Sequence, residues 1–284
     1  MLVPTMARAT VTTRLGSGTV CPGSEVDILI SVSDTMRNVG AISLAFSYDD
    51  TKLSYSNWYD AIPDITNSVL VNANNGKVYI SWYSTTSITI GDTLLFIRFE
   101  GVESGNSSLT WDTQNCEYAN EVGNIIESNY QNGSVTVYAQ PAITSHPSDV
   151  SITADNSVNF QVGASGQALT YQWQRKPAGQ SNWTNLTNTS TYSNVTSYRL
   201  TVNNVTQQMT GDQFRCVVSG ACSPEVCSNA ATLSVSQTTI VTAFNNTTSC
   251  PGTVFAIPVT VTNCNNVGSF SLSFSYNASN VTYL

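Results

Sequence analysis

Cysteine is the residue type with the most chemistry to offer in this chain, and a single histidine accompanies the seven cysteines. The cysteines are Cys21, Cys116, Cys216, Cys222, Cys227, Cys250 and Cys264. One histidine does not complete a Cys/His zinc pattern. Many cysteines together with few lysines and many Asn-x-Ser/Thr sequons are typical of disulfides in an oxidising compartment. We therefore expect an extracellular or cell-surface protein that is secreted.

Catalytic motifs are nearly absent from the sequence. His146 lies in a proline-flanked segment, and no serine and aspartate can be arranged around it as a triad. The loops "SGNSS" and "GSGT" lack the G-x-S-x-G spacing of a nucleophile elbow, and no glycine-rich dinucleotide or phosphate motif occurs. We expect no enzyme activity, no catalytic residue and no cofactor.

Acidic side chains provide the remaining candidates for metal binding. The pairs Asp49 with Asp50 and Asp60 with Asp64 lack the D-x-D-x-D-G spacing of a calcium loop. The favoured interpretation is that they are solvated turn residues. The sequence therefore predicts no metal site.

Composition excludes two classes of partner. Charged residues make up only 10% of the chain, against about 25% in an average protein, and the net charge is −8. An acidic chain without a basic stripe is not expected to bind nucleic acid. No apolar stretch approaches the ~18 residues of a transmembrane helix, so no membrane span is expected.

A long internal duplication sets the domain organisation. The stretch "CPGSEVDILISVSD" from Cys21 recurs as "CPGTVFAIPVTVTN" from Cys250, and "VGAISLAFSY" from Val39 recurs as "VGSFSLSFSY" from Val267. The offset is 229 residues, which becomes 228 after a one-residue deletion. A period of this length with good local identity indicates duplicated domains rather than a short solenoid repeat.

Short alternating segments with turn residues between them recur every ~8–12 residues, which is the pattern of β-sandwiches. In "AISLAFSY", for example, Ile42, Leu44, Phe46 and Tyr48 share one face of a half-buried strand. Asn75-Gly76 predicts a tight hairpin turn. The strands predicted in the first part span residues 9–15, 26–33, 41–48, 53–58, 69–72, 77–83, 93–100, 108–111 and 134–138.

These nine strands resemble a cohesin-type domain, the nine-stranded jelly roll known from cellulosome scaffolds. The residues that carry the resemblance are "VGAISLAFSYDDTKLSY", "GKVYISWYS" and "GDTLLFIRFEG", within residues 7–139. The "CPG" and "LTWDTQNCEY" segments look like cohesin-like modules in secreted proteins of Bacteroidetes-type bacteria. That variant implies a disulfide between Cys21 and Cys116, with two free buried thiols as the alternative. It also implies O-glycosylation at Asp-Ser/Thr motifs, which Thr35 and Thr93 match.

Residues 143–235 resemble an immunoglobulin-like sandwich, with Trp173 as the core tryptophan of strand C. The segment "TGDQFRCVVSG" looks like strand F, but Phe214 stands where the corner tyrosine is expected. Val162 stands where the strand B cysteine is expected, so Cys216 lacks its usual partner. The candidates are Cys222, which matches similar bacterial modules, and Cys227, which lies better across the hairpin. The pair Cys216–Cys222 is favoured.

Residue 239 restarts the first module and runs for only about three of nine strands. The fold class predicted is therefore all-β, as tandem β-sandwiches, with a cohesin-like jelly roll over residues 1–140 and an immunoglobulin-like sandwich over 141–236. Residues 237–284 form an incomplete second cohesin-like domain. We expect either that its remaining strands follow in a longer molecule, which is favoured, or that a neighbouring molecule supplies them by strand pairing. The apolar residues that these remaining strands would cover are Val259, Val261, Phe270, Leu272, Phe274 and Tyr276.

Three functional hypotheses follow. The first is a non-enzymatic extracellular structural or adhesion protein, a repeat segment of a longer surface or fibre-forming chain, whose partners are copies of itself or further modules. The second is a cohesin that captures a dockerin-bearing partner, and the third is the accessory region of a large secreted carbohydrate-active enzyme. Surface glycans are a further partner class, because Trp58, Tyr59 and Tyr83 could stack on sugars, whereas Trp82 is expected in the core.

Overall fold

The computed structural model describes residues 11–237, 241–262 and 269–282. Its regular elements are β-strands, with two short 3-10 turns at Thr113–Asn115 and Gln207–Met209. No α-helix occurs in these three ranges. The all-β fold class predicted from the alternating pattern is confirmed.

All nine strands predicted in the first part of the chain occur, and three further short strands accompany them. The strands are β1 (Val11–Leu15), β2 (Ser17–Val20), β3 (Glu25–Val32), β4 (Met36–Ser47), β5 (Leu53–Tyr59), β6 (Leu70–Asn74), β7 (Lys77–Ile90), β8 (Thr93–Gly101), β9 (Gly105–Trp111), β10 (Glu117–Ala119), β11 (Ser128–Gln131) and β12 (Gly133–Val137). The unpredicted strands are β2, β10 and β11.

These strands form two sheets, here called the first sandwich. One sheet has the order β11-β1-β3-β8-β5, and the other has the order β2-β12-β9-β4-β7-β6 with β10 also paired to β4. The aromatic centre of the core is Phe46, whose ring centroid lies 5.5 Å from that of Trp111 and 6.4 Å from that of Phe99. Trp82 is buried, as predicted, and its indole nitrogen donates to the Ser68 hydroxyl at 2.9 Å.

The hairpin between β6 and β7 turns at the predicted Asn75-Gly76 pair. Asn75 has φ of 48° and Gly76 has φ of 69°, while the flanking Asn74 and Lys77 pair directly. Positive φ at both central residues is the requirement of a type I′ hairpin turn, which Asn-Gly meets at low cost. The turn fixes the register of β7, which faces Val78 and Ile80 inward and Tyr79 outward.

Residues 142–236 form three further sheets around a separate core, here called the second sandwich. One has the order β14-β23-β21-β17-β18 with β22 also paired to β21, another has the order β15-β20-β19, and in the third β13 pairs with β16. The strands are β13 (Ala142–Ser145), β14 (Val150–Thr153), β15 (Val158–Gln161), β16 (Gly163–Ser165), β17 (Thr170–Lys176), β18 (Thr184–Asn185), β19 (Tyr192–Ser193), β20 (Arg199–Val202), β21 (Gln213–Ser219), β22 (Val226–Cys227) and β23 (Ala231–Ser236).

Trp173 is the centre of this second core. It is fully buried, and its indole nitrogen donates to the Ser197 carbonyl at 2.8 Å. Phe214, at the position where the sequence lacks a corner tyrosine, stacks on Phe160 with ring centroids 4.8 Å apart. The residue therefore contributes packing at this corner rather than a hydroxyl hydrogen bond.

The last described strands repeat the start of the first sandwich. The strands β24 (Val241–Phe244) and β25 (Val259–Thr262) are antiparallel, with Phe244 opposite Val259. At an offset of 229 residues this is the pairing of Leu15 with Ile30 between β1 and β3. The register of the duplicated strands is therefore preserved.

The apolar side chains of this duplicated segment lie at the surface. Phe270 is 76% exposed and Phe274 is 60% exposed, whereas their counterparts Ile42 and Phe46 are buried in the first sandwich. Of the other predicted pairing residues, Val259, Leu272 and Tyr276 are exposed and Val261 is half-buried. The prediction that another strand covers them stays a prediction.

Candidate functional site

A disulfide joins the first and second sandwiches. Cys21 lies in the Cys-Pro-Gly turn before β3, and Cys222 lies in the loop between β21 and β22. Their Cα atoms are 5.5 Å apart although the residues are 201 positions apart in sequence. This separation lies within the usual range for a disulfide. The bond places the start of the first sandwich against the end of the second.

The predicted pair Cys21–Cys116 is therefore wrong. Cys116 follows the 3-10 turn after β9, and its thiol lies against β4, where it donates to the Ala45 carbonyl at 3.3 Å. Cys21 instead lies beside Ala221 of the second sandwich, with its sulfur 3.6 Å from the Ala221 carbonyl oxygen. Cys116 is free, and its burial raises the pKa of the thiol.

The predicted pair Cys216–Cys222 is wrong as well, and so is the alternative Cys216–Cys227. Cys216 lies on the inner face of β21, opposite Trp173, and both Cys216 and Cys227 are free. Cys227 is opposite Val217, the neighbour of Cys216 in the strand, so its side chain projects from the other face of the sheet. Burial raises the pKa of the Cys216 thiol to about 12.

Backbone and side-chain hydrogen bonds surround the disulfide on both sides of the segment that joins the sandwiches. The Tyr138 amide donates to the Val20 carbonyl at 2.8 Å, and the Gln140 side chain donates to the Ser223 carbonyl at 2.9 Å. The Ala221 amide donates to the Gln167 carbonyl at 2.8 Å. The connecting residues therefore contact both sandwiches, and the disulfide links the two sandwiches covalently beside them.

A second candidate surface is the outer face of the sheet formed by β9, β4, β7 and β6. Here called the tyrosine face, it carries Tyr79 and Tyr83 on β7, with Leu70 on β6, and Tyr83 is 84% exposed. The floor beside them consists of small side chains, because Tyr79 is opposite Ala45 and Ser81 is opposite Ser43 on β4. The two tyrosine side chains therefore project from a sheet surface whose neighbouring side chains are small.

The tyrosine face carries few charges. Glu117 on β10 lies in its middle row, because it is opposite Ser43, and the Lys77–Asp112 ion pair lies at one end, with an N–O distance of 3.1 Å. Aromatic residues with few charges among them are typical of the core of a protein interface. This face is therefore suited to bind another folded surface rather than a small charged molecule.

The other side chains singled out from the sequence have ordinary structural roles. The Nδ1 atom of His146 accepts the Asn229 amide at 3.0 Å. Asp49 accepts both the amide and the hydroxyl of Thr51, and the hydroxyl hydrogen bond chiefly lowers the pKa of that carboxyl. Tyr59 stacks on Phe96 with ring centroids 5.3 Å apart.

Neither a metal cluster nor a membrane helix is found in residues 11–237, 241–262 and 269–282. No group of three or more His, Cys, Asp or Glu side chains in these ranges could hold an ion, and no helix there is long and apolar enough to cross a membrane. Thr35 is exposed and Thr93 is half-buried at the start of β8. Their O-glycosylation stays a prediction, and Cys264 lies outside the described residues.

Comparison with known proteins finds similarity only at the level of structure. No protein-family model matches the chain, and no curated protein matches it. The chain is similar to the solution structure of CaCohA2 from Clostridium acetobutylicum, at 27% identity over 45% of this chain and 90% of that one, with a TM-score of 0.40. A complex of CaDoc0917 with CaCohA2 matches at 25% identity over 45% of this chain and 99% of that one, with a TM-score of 0.42.

A non-cellulosomal cohesin from the hyperthermophilic archaeon Archaeoglobus fulgidus matches at 20% identity. The match covers 46% of this chain and 93% of that one, with a TM-score of 0.39. These structure neighbours are cohesin modules, and each match covers less than half of the chain. At such low TM-scores the similarity assigns no function to it.

Proposed function

We propose that the chain is a non-catalytic segment of an extracellular structural or adhesion protein, in which two sandwiches form one braced unit. The observation that carries the proposal is the Cys21–Cys222 disulfide, because it joins the two sandwiches rather than stabilising either one alone. Disulfides persist in oxidising environments and are rare in the cytosol, which supports a secreted location. Low charge and β-sandwiches in tandem suit a stalk or surface polymer.

The Cys21–Cys222 disulfide, here called the brace, predicts a fixed relative orientation of the two sandwiches. In residual dipolar couplings of the full chain, amides of the first and second sandwiches should fit one common alignment tensor. The double variant Cys21→Ser, Cys222→Ser should need two tensors, because the hydrogen bonds of the connecting residues Tyr138 and Gln140 are too few to hold an interface of this kind rigid. The matched control is Cys227→Ser, which removes an exposed free thiol from the same hairpin. Two separate tensors for the oxidised wild-type chain would refute the brace.

A second candidate function is capture of a partner module on the tyrosine face. The observation that favours it is the exposure of Tyr79 and Tyr83 above a floor of serine and alanine. The resemblance of the sequence to cohesins makes a dockerin the partner to test. Tyrosine is among the side chains that contribute most at protein interfaces.

The partner test uses a panel of purified dockerins, including CaDoc0917, against the full chain by calorimetry. For any dockerin that binds, Tyr83→Ala should weaken binding by at least about tenfold, since truncating an aromatic hot spot costs about 2 kcal/mol or more. Tyr198→Ala is the control, because this tyrosine is also exposed but lies on the second sandwich. Full binding by the Tyr79→Ala, Tyr83→Ala double variant would place the partner surface elsewhere.

A further inference from the structure

The outer face of the second sandwich carries an aromatic ring flanked by two positive charges. The Arg215 guanidinium lies 4.4 Å from the centroid of the Trp183 indole, and the Lys176 ammonium lies 5.2 Å from it. Trp183 is only half-buried, so part of the indole is open to solvent. Here these three residues are called the indole platform.

A hydrogen-bonded row of side chains holds the platform in place. Gln174 on β17 is directly opposite Arg215 on β21 and Asn185 on β18. The Arg215 Nε atom donates to the Gln174 side-chain oxygen Oε1 at 2.7 Å. The Gln174 side-chain nitrogen Nε2 in turn donates to Asn185 Oδ1 at 2.8 Å. The guanidinium is therefore oriented by the sheet before any ligand arrives.

Most of the groups left free on this row are donors. The side-chain oxygens of Gln174 and Asn185 each already accept one hydrogen bond, whereas the terminal guanidinium nitrogens of Arg215, the Lys176 ammonium and the Asn185 side-chain amide nitrogen form none within the described residues. These groups donate and do not accept. The complementary ligand is rich in acceptor oxygens.

Charge also points to an anion. Neither Lys176 nor Arg215 forms an ion pair among the described residues, although the chain as a whole is strongly acidic. Carboxylates nearby in the sequence are engaged elsewhere, since Asp212 binds Arg175 and Glu225 accepts the Ser219 hydroxyl. Two cations that form no ion pair therefore lie beside a half-buried indole, and their charge favours an anionic ligand.

We propose that the indole platform binds a carboxylate-bearing sugar, the uronic acid unit of an acidic polysaccharide. The carboxylate pairs with Arg215 and Lys176, the sugar hydroxyls accept from Asn185, and the C–H face of the pyranose packs against Trp183. The charge balance of residues 141–236 permits this, because four basic and four acidic side chains leave the second sandwich neutral. The first sandwich, over residues 11–140, carries five basic against fourteen acidic side chains and would repel the same ligand. The site goes beyond the brace and does not depend on it.

The test titrates the full chain with oligogalacturonate and, in parallel, with a neutral galactan oligomer of the same length. Saturable perturbation of the Trp183 indole N–H resonance by oligogalacturonate alone is expected, weakening as salt screens the charges. Trp183→Ala and Arg215→Gln should each weaken binding about tenfold, because the first removes the aromatic face against which the sugar packs and the second removes a charge-assisted hydrogen bond to its carboxylate. Arg199→Gln is the matched control, because it removes a cation from β20 in the other sheet, and it should change affinity less than twofold.

Two results would overturn the proposal. Equal binding of the neutral galactan would remove the role of the carboxylate, and tighter binding of poly-aspartate than of oligogalacturonate would make the site a peptide site. The Trp183→Phe variant guards against misfolding, because it keeps an aromatic face and should retain most of the affinity. Since the Cys21→Ser, Cys222→Ser variant leaves the platform intact, its binding of oligogalacturonate separates failure of this site from failure of the brace.

Discussion

Replacing both Cys21 and Cys222 by serine should lower the total free energy of unfolding of the oxidised chain by about 5 kcal/mol. The disulfide closes a loop of 201 residues, and in the chain-entropy model the stabilisation grows with the logarithm of loop length. Because this loop contains most of both sandwiches, the bond restricts the unfolded state of each. Unfolding of one sandwich should therefore also change the stability of the other.

Urea unfolding followed by tryptophan fluorescence measures this effect, since Trp82 and Trp111 report on the first core and Trp173 on the second. The double variant should unfold at lower urea and in two separable steps. Cys227→Ser should stay within about 0.5 kcal/mol of the wild-type chain, as expected for an exposed site. Unchanged midpoints in the double variant, together with free Cys21 in the wild-type chain by mass spectrometry, would contradict the disulfide.

Replacing Asp212 by asparagine should destabilise the second sandwich by about 3 kcal/mol. The Asp212 side chain is only 1% exposed, and its carboxylate pairs with the Arg175 guanidinium, with an Nη–O distance of 2.6 Å. It also accepts the Ala178 amide at 3.0 Å. Removing one member of a buried ion pair leaves the other charge uncompensated, which typically costs about 3–5 kcal/mol. The partial exposure of Arg175 places the expected value at the lower end.

Thermal unfolding followed by the NMR indole N–H resonance of Trp173, which is buried in the second core, checks this prediction. The matched control is Asp155→Asn, an exposed carboxylate with φ of 66°, a conformation that asparagine also tolerates. The control should change stability by less than about 0.5 kcal/mol. A loss below 1 kcal/mol for Asp212→Asn, equal to that of the control, would show that this ion pair has no structural role at the corner.

The strands could be predicted because their alternating pattern records which face is buried. Val78, Ile80 and Trp82 alternate with Tyr79 and Tyr83 along β7, so both the core residues and the tyrosine face follow from period two. Strand β2 was missed because it continues β1 across Gly16 while changing sheets. The β10 strand has only three residues, and β11 has a polar sequence, so neither carries a clear periodic signal.

The disulfide could not be predicted from the alternation. Pairing of Cys21 with Cys222 depends on how two separately folded sandwiches meet, and cysteine spacing alone does not fix connectivity. When each module is considered by itself, Cys21 is paired with Cys116 and Cys222 with Cys216, and each pair lies within one module. The indole platform was missed for a similar reason, because Lys176, Trp183 and Arg215 converge only through the register of β17 with β21.

The Cys21–Cys222 bond also decides which part of the chain carries a mechanical load. When the two ends of the described sandwiches are pulled apart, tension passes from residues 11–21 through the two sulfur atoms to residues 222–237. Residues 22–221 lie inside a covalent loop and are bypassed. At about 3.4 Å per extended residue, those 200 residues represent roughly 700 Å of length that cannot be drawn out while the disulfide is intact. The unit therefore transmits force through residues 11–21, the disulfide and residues 222–237, whatever the stability of the two sandwiches.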